Sequence, residues 1–280
     1  MPSRRGFTLI EVLIALVIMG IVTGAIYQLL NTNQRLALAQ SEQASLQSNV
    51  RTGSLVVPNE LRELNTVSAG GADQNDVTAA DPDGITYRAM RGLGFVCQAP
   101  GATELRLLES SWTGLRAPDA TRDGLYVFLE GNVDEDEDDQ WVQMDITAVV
   151  PSTCGAAAAY KLTVAGPPAV PVNTPVRVFE LMRLELYPDA GQWWLGASSE
   201  KAAPGVLQPV LGPLTDDGFL LEYLDSNGND AAGNLTAIQS IRVTVRGLTD
   251  GAVRPGGSGE MGHPEEALAT QVLLRNSIRP

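Results

Sequence analysis

The sequence GFTLIEVLIALVIMGIVTGAIYQLL, residues 6–30, determines how the rest of the chain is organised. It follows Arg4 and Arg5 directly and contains one charged residue, Glu11. About 20 apolar residues cross the hydrocarbon core of a bilayer as a helix, so this segment predicts a membrane-spanning helix. Because the next cation after Arg5 is Arg35, the positive-inside rule predicts a cytoplasmic N-terminus and an exported remainder.

Glu11 is unusual in this setting. An acidic side chain within an apolar span costs a few kcal/mol on insertion scales, so it normally has a partner or a function.

The segment GFTLIE, residues 6–11, lies after a short basic leader and resembles the prepilin signature of type IV pilins and type II secretion pseudopilins. The resemblance implies that a prepilin peptidase cuts after Gly6 and that the new N-terminal residue, Phe7, is methylated. An ordinary signal peptide loses its apolar region on cleavage. Here the apolar run would stay on the mature protein, first as a membrane anchor and later as the core of a filament.

The same resemblance gives Glu11 a role in assembly. In a filament its carboxylate would pair with the free amine of a neighbouring subunit's N-terminal phenylalanine, a charge-assisted contact in a setting of low dielectric constant. The alternative is that Glu11 is an interfacial residue of a plain anchor.

Helical periodicity continues beyond Leu30. Apolar residues at spacings of three, four or seven form one stripe: Leu36, Ala39, Leu46, Val50, Val57, Leu61 and Leu64. We therefore expect one helix of roughly 55 to 60 residues, about 80 to 90 Å long. Gly53 and Pro58 predict a bend or break near residues 54–58, or simply the end of the helix there. Gly20 and Gly24, one turn apart, would permit close helix approach.

The rest of the chain has the pattern of strands. Turn-forming residues predict a loop over residues 68–84. Strand candidates follow at residues 85–90, 94–98, 105–109, 125–130, 140–150, 161–165, 176–187, 193–197, 218–224, 240–246 and 270–275. Short polar connections favour antiparallel sheet. The expected fold class is α+β: a very long N-terminal helix packed on antiparallel sheet.

The expected organisation has three parts: a leader (1–6), the N-terminal helix (7–67; transmembrane over 7–30, amphipathic over 31–67) and one exported β-rich pilin-like domain (68–280). Within the last part, residues 219–225, 238–245 and 270–276, with an Asn-Gly turn after the first, resemble the longer minor members of the family. These are the PilW-type minor pilins and the J-type minor pseudopilins.

Composition excludes some partners. With 19 Lys+Arg against 33 Asp+Glu, the formal net charge is −14, which disfavours direct binding of nucleic acid.

Cys97 and Cys154 lie in the part expected outside the cytoplasm, where disulfides persist, so a disulfide between them is the preferred interpretation. A metal site or a catalytic thiol is the alternative, but His263 is the only histidine.

Two acidic clusters are weak calcium candidates. One is the unbroken run at residues 134–139, which is also typical of a solvated loop. The other is the set of oxygen ligands on Asp225, Asn227, Asn229 and Asp230, for which a turn is the competing interpretation. No catalytic residues and no other cofactor are expected.

The sequence therefore favours a structural protein over an enzyme: a minor pilin-like subunit that assembles or primes a filament, in a system serving adhesion, twitching motility or DNA uptake. The expected location is the inner membrane, single-pass, and then a cell-surface or periplasmic filament. Expected partners are other pilin-like subunits, the prepilin peptidase and the membrane. The alternatives are a type II secretion pseudopilin and a membrane-anchored exported binding protein.

Overall fold

The computed structural model describes residues 8–66, 75–132, 139–165, 170–254 and 260–275. These contain one long helix, α1 (Leu9–Leu61), and a large β-sheet. The strands are β1 (Val77–Asp81), β2 (Gly84–Gly101), β3 (Glu104–Leu108), β4 (Asp123–Leu129), β5 (Gln140–Cys154), β6 (Ala157–Val164), β7 (Pro175–Asp189), β8 (Gln192–Ser199), β9 (Gln208–Leu224), β10 (Ser240–Leu248) and β11 (Glu265–Leu273). The α+β fold class expected from the sequence is confirmed.

The chain forms two compact units. One contains residues 1–48 and 248–266, and the other contains residues 49–247 and 267–280. In the first unit, Glu42 of α1 accepts the backbone N–H of Gly251 at 3.1 Å, which fastens the segment after β10 to the helix. The second unit contains the last turns of α1 and most of the sheet.

Six strands of the second unit close into a barrel. Each is hydrogen-bonded to the next in the circuit β2-β3-β6-β5-β4-β7, and β7 pairs again with β2. The pairings are antiparallel. Closing a sheet in this way removes its exposed edges. The barrel core consists of buried apolar side chains: Val96, Leu105, Leu107, Leu125, Val127, Met144, Ile146, Leu162, Val164, Val170, Val176 and Val178.

A second apolar core lies beyond the barrel, where β7 extends past it and pairs with β8, and β9 and β10 follow in the sheet. Val57 and Leu61 of α1 belong to it, together with Tyr223 and Val245 of the sheet. The helix can approach the sheet closely because Gly53 has no side chain. A Cβ at this position would overlap Leu211 and lie 3.3 Å from Val245.

The two cores share one face of β7 and are separated by a buried charged residue. Along that face, Val178 belongs to the barrel core and Leu184 to the second core, with Glu180 between them. The Glu180 carboxylate lies 2.9 Å from Arg91 and 3.3 Å from Arg116. These ion pairs compensate the charge of Glu180 at the junction between the cores. Without them, a buried carboxylate would be strongly destabilising.

The helical stripe predicted from the sequence is largely confirmed. Leu46, Val50, Val57, Leu61 and Leu64 are buried, whereas Leu36 is 41% exposed.

The prediction of a break, or of the end of the helix, at residues 54–58 is wrong, since α1 continues to Leu61 with Pro58 inside it. A bend there stays a prediction. Proline removes one helical donor and crowds the preceding turn. Ser54 and Pro58 are both buried in this turn. The helical hydrogen bonding continues past the proline, since the N–H of Arg62 bonds to the Pro58 carbonyl at 2.9 Å.

Three strand predictions require correction. Residues 77–81, assigned to a loop, form β1, which pairs with β2. The strands predicted at 85–90 and 94–98 are one strand, because the irregularity between Met90 and Gly92 is a bulge and not a turn. β9 begins at Gln208, ten residues before the predicted start, in a stretch whose prolines and glycine concealed it.

Candidate functional site

The first turn of α1 is closed by a reciprocal hydrogen-bonded cap. The backbone N–H of Thr8 donates to the Glu11 carboxylate at 3.0 Å, and the backbone N–H of Glu11 donates to the Thr8 hydroxyl at 3.4 Å. The Thr8 hydroxyl also donates to the same carboxylate at 3.1 Å. This is a capping box, which satisfies two of the amide groups left unpaired at a helix start.

The cap was not predicted, although its signature is legible in the sequence. A threonine followed three residues later by a glutamate, just before an apolar run, is the pattern of a capping box. Glu11 therefore has a function within its own chain, besides the contact with a neighbouring subunit that the resemblance implies.

Beyond the cap, the surface of α1 is apolar and exposed on all sides as far as Leu30. Leu9 is 80% exposed, Met19 68% and Ile21 69%. Among the described residues, α1 is the one helix long and apolar enough to cross a membrane, and none of its most apolar window is buried against the protein. A surface of this kind is stable in lipid or against other apolar helices, and not in water.

Two glycines interrupt this surface. A Cβ built at Gly20 or at Gly24 meets no atom within 4 Å. Packing against the described part of the chain requires neither glycine, so close approach of another helix at these positions stays a prediction.

The processing residues Gly6 and Phe7 lie outside the described residues. Cleavage after Gly6 and methylation of Phe7 stay predictions, as does the pairing of Glu11 with a neighbour's amine.

The disulfide predicted from the sequence is present. Cys97 of β2 and Cys154 of β5 are bonded, with their Cα atoms 6.2 Å apart. The bond joins two strands that are not neighbours in the barrel circuit, since β3 and β6 lie between them. It therefore reinforces the barrel.

The calcium candidate around Asp225 forms a hydrogen-bonded turn. One Asp225 oxygen accepts the backbone N–H groups of Asn227 and Asn229 at 2.8 and 2.9 Å, and the other accepts the Asn229 side-chain amide at 3.3 Å. The bond from the Asn229 backbone is the main cause that lowers the pKa of Asp225. Asp230 accepts the N–H of Ala232 at 3.1 Å. These bonds account for the turn, and calcium there stays untested.

The acidic run at residues 134–139, the other calcium candidate, lies outside the described residues except for Asp139. Within the described ranges, no group of three His, Cys, Asp or Glu side chains is placed to hold a metal ion. The Nδ1 atom of His263 lies 2.7 Å from the carbonyl oxygen of Thr249, a contact within the segment that follows β10.

Comparison with known proteins gives one match. Residues 1–27 match the family described as "Prokaryotic N-terminal methylation motif". No curated protein and no solved structure matches the chain.

The matched residues contain the leader, the capping box and most of the apolar span. The remaining residues have a helix and sheet arranged as an α+β unit with a disulfide. Together, the methylation motif and the exposed apolar helix support a type IV pilin-like or pseudopilin-like protein that is suited to membrane anchoring and to assembly with similar subunits.

Proposed function

We propose that this protein is a minor pilin-like structural subunit of a type IV pilus or a related filament, in whose assembly or priming it takes part. The methylation motif at residues 1–27, placed directly on an apolar helix that the protein itself leaves exposed, is the observation that carries the proposal. The subunit is held in the inner membrane by α1 until assembly. The apolar surface of α1 then exchanges lipid for the helices of other subunits.

In this proposal Glu11 has two separable functions. Its carboxylate caps the first turn of α1 through Thr8, and it neutralises the N-terminal amine of a neighbouring Phe7 within the filament. Removal of the leader creates the free amine next to Thr8. The ammonium group and the carboxylate are both removed from water when helices bundle, so their mutual attraction is strong there.

Substitutions at two positions separate these functions. Glutamine also completes a capping box, so Glu11→Gln keeps the cap and removes the charge, whereas Glu11→Ala removes both. Thr8→Ala weakens the cap and keeps the charge. The measurement is the amount of subunit in sheared filament fractions, compared with the amount in the membrane.

We expect Glu11→Gln to reduce incorporation as strongly as Glu11→Ala, and Thr8→Ala to have a small effect. If Glu11→Gln is incorporated like the unmodified protein, the charge has no role in assembly. Normal incorporation of Glu11→Ala would favour a membrane-tethered binding protein in place of a filament subunit. Recovery with secretion components instead of a pilus would assign the subunit to a type II secretion pseudopilus.

A further inference from the structure

Two chain segments that follow β10 run alongside α1. Residues 249–254 and 260–264 lie antiparallel, and Val253 and Gly262 exchange backbone hydrogen bonds at 2.8 and 3.1 Å. The N–H of Thr249 bonds to a carbonyl of the other segment, that of Pro264, at 3.1 Å. These bonds hold the two segments together as one piece, which belongs to the same compact unit as residues 1–48.

The direction of this piece follows from its contacts with α1. The N–H of Gly251 donates to the Glu42 carboxylate at 3.1 Å. Residues 252–254, which continue from Gly251, line a groove together with residues between 32 and 38 of the helix. The piece therefore runs along α1 from Glu42 towards Leu30, where the apolar span ends.

The groove between this piece and α1, called here the interfacial groove, has a volume of about 650 Å³. Its lining includes Thr32, Arg35, Leu36 and Leu38 of α1 and, on the other side, Arg254 and Met261. The apolar side chains among them are exposed: Leu36 to 41%, Leu38 to 65% and Met261 to 60%. Apolar side chains exposed as a group are typical of a surface that meets a partner or a membrane.

Arg35 and Arg254 place two positive charges at the interfacial groove. Both residues are exposed, and neither lies within salt-bridge distance of a carboxylate in the part of the chain that the structure describes. A guanidinium group donates two parallel N–H groups to a phosphate or a carboxylate. The groove therefore combines apolar surface with two donors for an anion.

Arg35 lies at the level of the lipid headgroups when residues 9–30 occupy the hydrocarbon core. It is five residues beyond Leu30, which is about 7 Å along the helix axis. The headgroup layer is about 5 to 7 Å thick on each side of the core. Side chains on a helix lean towards its N-terminus, which here is towards the membrane. The Arg35 guanidinium therefore reaches the layer that contains the lipid phosphates.

The charges of this unit are sorted along α1. Arg35 is the first charged residue beyond the apolar span, and Glu42, about 18 Å beyond Leu30, is the next. At the end of the piece near Glu42 lie three further acids: Asp250, Glu265 and Glu266. At the other end, the exposed Glu260 is one acid against two arginines. Positive charge therefore prevails only where the unit meets the membrane.

We propose that the interfacial groove binds the headgroup of a phospholipid in the leaflet where α1 leaves the bilayer, with Arg35 and Arg254 on the phosphate and Met261 against the glycerol region. Arginine near a membrane surface attracts lipid phosphate, and a flexible apolar side chain beside it enters the boundary between headgroup and acyl chain. The inference rests on α1 crossing a membrane and not on the filament role.

The first test measures depth, with a bimane label on the full-length protein in nanodiscs of phosphatidylglycerol and phosphatidylcholine. The two native cysteines are bonded to each other, so Met261→Cys and Glu265→Cys each provide a single reactive thiol. Part of the phosphatidylcholine carries a nitroxide quencher on its headgroup. We expect strong quenching at position 261 and about threefold less at position 265, which lies at the end of the piece near Glu42.

Val22→Cys, labelled in the same way and quenched by a nitroxide on the acyl chain, shows whether α1 is inserted. If position 22 is quenched and position 261 is quenched no more than position 265, the inference is overturned, whereas the membrane anchor and the filament role stand. Absence of quenching at position 22 would remove the anchor itself, and with it both the inference and the proposed function.

The second test measures recognition of the phosphate. Lipids with a nitroxide on the acyl chain are titrated, in an uncharged detergent, into the protein labelled at position 261. Phosphatidylglycerol should quench saturably, and diacylglycerol, which lacks the phosphate, should bind about tenfold more weakly. Arg35→Gln and Arg254→Gln should each weaken binding of phosphatidylglycerol about fivefold. Arg51→Gln, at an exposed arginine much further along α1, is the matched control and should leave binding unchanged.

The proposal is overturned if the two lipids bind equally well, or if both arginine variants bind phosphatidylglycerol like the parent protein. Equal binding of the two lipids is the result expected if the groove receives an apolar helix of another subunit, since such a site has no use for a phosphate. Because the comparison of lipids keeps both arginines, it decides the question even if an arginine variant fails to fold.

Discussion

The buried carboxyl of Asp76 should make the stability of the protein fall as the pH rises. Asp76 is 3% exposed, and its carboxylate accepts the backbone N–H of Asn65 at 2.8 Å, directly after α1. Burial raises the pKa of Asp76 from 3.8 to about 7, against the opposing effects of the Asn65 hydrogen bond and of Arg88 and Arg177. In the unfolded chain the pKa returns to its ordinary value.

The sign follows from counting bound protons. Below pH 4 the carboxyl is protonated in both states, so Asp76 has no effect on the pH dependence. Between pH 4 and 7 the unfolded state has released its proton while the folded state keeps it, so raising the pH favours unfolding. A difference of about 3 pH units at 1.36 kcal/mol each gives a loss of about 4 kcal/mol by pH 8.

Asp76→Asn removes this penalty and keeps a side-chain oxygen to accept the Asn65 N–H. We expect the variant to gain stability relative to the unmodified protein between pH 4.5 and pH 8, by up to about 4 kcal/mol. The assay is urea unfolding followed by tryptophan fluorescence at both pH values. Asp225→Asn is the control with the opposite sign, because the pKa of Asp225 is lowered and its contribution is lost only on acidification. An equal difference between Asp76→Asn and the unmodified protein at both pH values would refute the reasoning.

Three further variants test the interactions that hold the barrel together. Gly124→Ala places a Cβ against the Phe179 ring, so urea unfolding should show a loss of about 1 to 3 kcal/mol from overpacking. Replacing Cys97 and Cys154 together by serine opens a loop of 57 residues and should cost about 4 kcal/mol of unfolding free energy, with a smaller loss arguing for residual order in the unfolded state. Asp123→Asn weakens the ion pair between the fully buried Asp123 and the partly exposed Arg116 and should lower stability by about 2 to 3 kcal/mol, whereas an unchanged urea midpoint would show that the pair contributes nothing.

Local sequence patterns predicted the helix and most strands, because the periodicity that identifies such an element lies in residues close together in the sequence. The apolar run fixed the first half of α1, and alternation in segments such as residues 240–246 identified β10. β1 was missed because its sequence, VTAAD, contains alanine and aspartate, which are depleted in strands. It becomes a strand through pairing with β2, a tertiary effect. Pro58 was misread for a similar reason: it is buried within α1, and its neighbour Val57 belongs to a core shared with the sheet, which a local pattern does not reveal.

The barrel could not be predicted in this way. The pairing that closes the barrel joins Gly94 of β2 to Val176 of β7, and no local pattern encodes a contact between residues so far apart in sequence. At the N-terminus the reverse holds: the cap between Thr8 and Glu11 is a local motif and was available from the sequence alone.

The central claim is that the apolar helix is kept by the mature protein and that processing occurs immediately before it. The most direct measurement is intact-mass and N-terminal peptide analysis of the protein recovered from its native host. The account predicts a chain that begins at Phe7 and carries one added methyl group. A mature chain that retains residues 1–6, or one that begins beyond Leu30, would contradict it.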